Sequence, residues 1–111
     1  MANNPSFTEL VTEVANKTAE ELIPWEVTTS ATIFAAPMGG SYLLRVGESV
    51  IKPNRIYHFL QIIDSDGDGV MSTSSNTYPM IDDIYRRAHN QALGIDKAIG
   101  SVLEDLRKLK K

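Results

Sequence analysis

The hydrophobic period of the chain changes twice, and the order of those periods restricts the fold more than any other feature. The first block is helical. Ser6 can cap a helix with Glu9 three residues on, a capping box, and Phe7, Leu10, Val11, Val14, Ala15 and Leu22 recur at helical spacing. Pro24 ends this stripe, because a residue before proline is pushed out of the helical region. From Trp25 to Ile33 the period falls to two, through Trp25, Val27, Thr29, Ala31 and Ile33. "APMGG" (36–40) reads as a turn, and "SYLLRV" as a strand with Tyr42, Leu44 and Val46 on one face. "GESVIKPN" reads as a second connection, since Pro53 is unsuited to a strand interior. "RIYHFLQII" is apolar on both faces of a strand, and period alone leaves helix and strand open there. The third block is helical again. Ile81, Ile84, Tyr85, Ala88 and Ala92 follow Pro79, and Gly94 is placed to end that helix. A last helix, capped near Asp96, carries Ile95, Ile99, Val102, Leu103 and Leu106.

Helix, then strands, then helices describes an α+β domain. The chain has 111 residues, which suits one domain spanning 1–111. The expected layout is an N-terminal helix, a four-stranded antiparallel β-meander and two C-terminal helices packed on one sheet face. Phe7, Leu10, Val14, Tyr85, Leu103 and Leu106 are expected to meet Trp25, Tyr42, Leu44 and the strand around 56–63, with Trp25 against Tyr42.

Charge and composition narrow the function classes. The net charge is −3, without the basic footprint of a nucleic-acid binder. The basic tail "RKLKK" falls where a last helix would end, and cations are favoured there by the helix dipole. The chain has no cysteine, which removes disulfides, thiolate nucleophiles and cysteine-held metals. No stretch approaches the roughly 20 apolar residues of a membrane span. "MANNPSFTEL" has no basic region followed by an apolar run, so it does not read as a secretory signal. A cytoplasmic protein with neither membrane nor nucleic-acid partner is expected.

The one segment with a ligand chemistry of its own is "DSDGDG". As a calcium loop, Asp64, Asp66 and Asp68 take positions 1, 3 and 5, Gly69 position 6, the Val70 carbonyl position 7 and Ser72 position 9. Position 12 is then Ser75, where a bidentate glutamate is needed, and "STSSNTYP" offers no exiting helix. As a hairpin turn, Asp-Gly supplies the positive φ, and Asp64 and Asp66 bond locally to turn amides. Asp64, Asp66 and Asp68 are thus the candidate metal ligands, with calcium the one cofactor in view.

Catalytic signals are thin. His58 and His89 lie on different elements, with His58 expected to bond locally and His89 to face solvent beside Arg86, Arg87 and Gln91. Asp82 and Asp83 fit the first turn of a helix. The serines of "STSSN" have no GxSxG elbow around them, and "PMGGSY" leads to no phosphate loop.

Taken together, "FTEL", "PWEVT", "GGSYLLRV", "YHFLQIIDSDGDG", "IYRRAHNQALGID" and "VLEDLRKL" resemble the recurring layout of a family of small uncharacterised bacterial proteins, notably cyanobacterial. The resemblance covers nearly all of the chain. It rests on packing and turn signals, and it implies a strand–turn–strand at the aspartates. No catalytic constellation is carried with it. The functional expectation is a non-catalytic protein-interaction module, with a homodimer as one form, and a calcium-binding domain built on 64–75 as the alternative.

Overall fold

The computed structural model describes residues 6–52 and 55–109. Helix α1 (Phe7–Ala19) leads into five strands, β1 (Glu26–Val27), β2 (Ile33–Met38), β3 (Tyr42–Lys52), β4 (Arg55–Asp64) and β5 (Gly69–Ser74), then helices α2 (Met80–Ala92) and α3 (Ile95–Lys108). The strands form one antiparallel meander in chain order. The fold is α+β, with five strands where the period reads four.

The extra strand comes from side-chain chemistry. The run from Trp25 to Ile33 is divided because the Thr28 hydroxyl lies 2.8 Å from the Ile33 carbonyl and accepts the Ser30 N–H at 3.1 Å. That wiring closes a turn between β1 and β2. Strand β2 then runs on through Ala36 and Pro37, and the turn sits at Gly39 and Gly40, both at positive φ. Pro37 is tolerated because β1 pairs only with Phe34 and Ala35, so β2 is a sheet edge beyond them. "GESV" is strand rather than connection. The Phe59 ring lies over Gly47, and a Cβ at 47 would collide with its Cζ. Only glycine admits that approach. Pro53 and Asn54 lie outside the described residues.

Helix α1 begins as the capping box reads, with the Glu9 N–H donating to Ser6 Oγ at 3.0 Å. It ends before Leu22. The Glu21 N–H donates to Thr18 O and the Leu22 N–H to Lys17 O, a Schellman closure. Glu21 holds φ 60 there, a position that suits glycine. Glu21→Gly is expected to stabilise the fold by about 1 kcal/mol, read as a raised urea midpoint at unchanged slope.

One face of the sheet carries the core. Phe34, Val46 and Leu60 form one cross-strand row, and Ala36, Leu44 and Ile62 the next. Ile81, Ile84 and Ala88 of α2 and Val11, Val14 and Thr18 of α1 close over them. Trp25 is buried, and its indole N–H donates to the Thr18 hydroxyl at 3.1 Å. Tyr42 does not join it, being 51% exposed.

Helix α3 behaves differently. It starts at Ile95 with Gly94 (φ 67) as its cap, so Asp96 falls in its first turn rather than at the cap. It packs only against α2 to any extent, and none of its residues is buried. Leu103 and Leu106 face solvent, as Phe7 does, instead of meeting the sheet.

Candidate functional site

One concave surface lies between α1 and the partly uncovered end of the core face. α2 covers the sheet at the Phe34 row, where Tyr85 and His89 pack on the Phe34 ring. Further along the strands, Met38 and Ile62 are only partly covered by the described residues. The result is an open groove of about 470 Å³. Leu10 and Val14 of α1 form one wall, Leu44 and Ile62 the floor, and Met38, Tyr42 and Val70 the far lip, with Ile23 at one end. The groove is almost wholly apolar. Its charged lining residues, Glu13 and Lys17, stand one turn apart on α1.

The second unpartnered surface is α3. Ile99, Val102, Leu103 and Leu106 repeat at helical spacing, between 43% and 57% exposed. Isolated exposed apolar side chains are ordinary, but a continuous stripe over a whole helix marks a contact surface.

A third feature is polar. The other face of the sheet carries a groove of about 580 Å³ bordered by Tyr57, Phe59, Gln61, Ser72, Ser74 and Asn76. Hydroxyls and amides there are readily solvated, so leaving it open costs little.

The hairpin-tip aspartates are placed by the β4–β5 turn. The Asp64 carboxylate accepts the N–H of Asp66 at 3.0 Å and of Asp68 at 2.9 Å through the same Oδ1. The Gly67 N–H donates to Asp64 O at 3.0 Å, and Gly67 holds φ 87. The chain leaves this turn as strand β5, not as a helix. Ser75 donates its N–H to His58 O and accepts the His58 N–H on its Oγ. It therefore sits opposite a residue six positions back along β4, about 20 Å from Asp64 at strand spacing. Positions 1 and 12 of the loop read from the sequence lie at opposite ends of the hairpin. Asp64, Asp66 and Asp68 are brought together at the tip, and Ser72 and Ser75 are not brought to them. Among the described residues no group of three or more His, Asp or Glu side chains is arranged to hold a metal ion.

His58 bonds at long range rather than locally. Its Nδ1 lies 2.5 Å from Asp82 Oδ1, its Nε2 3.5 Å from Glu48 Oε2, and its ring stacks on Tyr85 at 4.3 Å. Burial, and then the Glu48 charge, push the Tyr85 hydroxyl above its usual range. The folded state thus favours the neutral phenol. That contribution is present at neutral pH and is lost as pH rises past the ordinary tyrosine range. Asp83 pairs with Arg86 and Arg87 on one helix face. The Arg87 hydrogen bond, against some burial, holds its carboxyl below the usual range. Its small stabilising share is present at neutral pH and fades in acid. His89 is half-buried with its edge toward Phe34, not on a solvated face. No spacing in the sequence links His58 to Asp82, 24 residues apart.

A scan of protein-family models, a search of curated proteins and a search of solved structures each return no match. No helix among the described residues is long and apolar enough to cross a membrane.

Proposed function

We propose that the protein is a non-catalytic interaction module whose groove receives an amphipathic helix from a protein partner. The observation that carries this is the groove. It interrupts an otherwise covered core face, and it is lined by Leu10, Val14, Leu44, Ile62 and Met38 with charge along only one rim. A helix laid there would complete the layer that α1 and α2 begin.

The histidine cluster supports the non-catalytic part of the reading. Asp82 and Glu48 flank His58, and Tyr85 stacks on it. The Ser75 hydroxyl already accepts the His58 backbone N–H. The four side chains read as a clasp between β3, β4 and α2. The net charge of −3 favours a protein partner over nucleic acid.

A displayed library of helical peptides, selected on the full-length protein at high dilution, tests this. Binders should carry apolar residues at i, i+3 or i+4, and i+7. Their affinity should fall about tenfold or more in the Met38→Lys variant. Binders indifferent to Met38→Lys but lost in Tyr57→Lys, on the opposite sheet face, would contradict it.

A further inference from the structure

We infer that the helix received by the groove is α3 of a second copy, exchanged reciprocally in a two-fold dimer. The inference rests on the helix-docking reading above and names its partner. The chain displays both halves of one contact: a trough that lacks a helix, and a helix whose apolar stripe lacks a trough.

The α2–α3 corner decides between the chain's own groove and another copy's. Leu93 and Gly94 form the whole connection. It is hydrogen-bonded throughout, with the Leu93 N–H on His89 O, the Gly94 N–H on Gln91 O and the Ala98 N–H on Gly94 O, at 3.1, 3.1 and 2.9 Å. Gly94 at φ 67 sets the direction in which α3 leaves. α2 is itself fixed by Ile81, Ile84 and Ala88 in the core. Held at this corner, α3 packs on α2 and buries none of its residues. Folding α3 back onto its own groove would break this corner. Delivering it to a neighbour leaves the corner intact.

Charge offers one complementary pair. Glu13 and Lys17 lie on the groove rim one turn apart. Asp105 lies on a flank of the α3 stripe, about a quarter-turn from its centre. A register with the stripe in the groove sets Asp105 beside Lys17. Among the described residues neither Lys17 nor Asp105 has an ion-pair partner within 4.0 Å in the single chain.

Reciprocity closes the assembly. Each copy gives one helix and one groove, so a two-fold axis uses every such surface and leaves none to propagate. The area indicates the strength. A helix of 14 residues is about 21 Å long and 10 Å across. Two of them, counted with the surfaces they cover, give roughly 800 Å² of footprint, below the ~1,200 Å² typical of tight complexes. An interface of that size is a weak, reversible one.

Sedimentation equilibrium on the full chain tests this. Wild type should dimerise reversibly, in a concentration-dependent way, below roughly 1 mM. Leu106→Lys and Tyr42→Lys alter exposed positions, so the fold should survive, and each should weaken the dimer roughly a hundredfold. Lys17→Glu and Asp105→Lys should each weaken it roughly tenfold, and the double variant should recover most of the loss. Dimers lost with Leu106→Lys but indifferent to Tyr42→Lys and Lys17→Glu would mean α3 pairs with α3, and would overturn the inference. A monomer at millimolar concentration that still binds groove-directed peptides would overturn the exchange and leave the docking reading standing. A monomer that binds no such peptide would overturn both.

Discussion

Phe34→Ala is expected to lower the unfolding free energy by about 3–4 kcal/mol. Phe34 is 1% exposed and sits in the central cross-strand row between Val27 and Val46. Its ring meets Tyr85 at 5.8 Å and His89 edge-on at 5.5 Å, so the truncation empties a site walled by a sheet and by α2. Neither wall can collapse freely, because the strands are paired and α2 is held by Ile81 and Ile84. A domain of this size has roughly 5–15 kcal/mol in total, so the loss should show as a large fall in urea midpoint at constant slope. The same truncation at Leu106, 56% exposed on α3, should change the stability of the monomer by less than about 0.5 kcal/mol. Equal costs at the two positions would mean that α3 is packed after all.

Thr18→Val should cost about 2 kcal/mol despite conserving volume. Thr18 is the buried polar residue of the core, 2% exposed, and its hydroxyl is the acceptor for the Trp25 indole N–H. Valine leaves that donor in an apolar site with no partner. Trp25→Phe removes the donor instead and strands the hydroxyl. The double variant should cost less than the sum of the two, because no orphaned group remains; the difference is the coupling of the pair. Trp25 is the only tryptophan, so in Thr18→Val its emission reports the site directly while denaturation gives the energy. Strict additivity would show that the hydrogen bond contributes nothing.

Much of the architecture is legible because local and global signals agree. The Ser6 cap and the Asp-Gly hairpin are set by contacts within a few residues and the α2 stripe shows as a plain helical period, and the fold uses them as read. The misread boundaries depend on partners elsewhere. Nothing in "GESV" announces that Phe59 will cover Gly47 and draw β3 out to Lys52. Nothing before Pro24 announces that Glu21 will take a left-handed conformation and stop α1 early. The α3 stripe is plain in the sequence, but periodicity states that a face wants covering and not which surface covers it. The groove is harder still. It exists because α1 and α2 together do not span the core face, a property of their placement rather than of any motif. Met38, Tyr42 and Val70 become its lip only through the register of β2, β3 and β5.

A single cross-linking measurement tests the groove and α3 as partners. The chain has no cysteine, so Lys17→Cys and Asp105→Cys chains each carry one reactive thiol. The two are mixed above the dissociation constant and treated with a short bismaleimide. Reciprocal exchange should give the mixed 17–105 product as the main species, lost when Tyr42→Lys is added to the Lys17→Cys chain and Leu106→Lys to the Asp105→Cys chain. A 105–105 product in its place, or no cross-link at all, would contradict it.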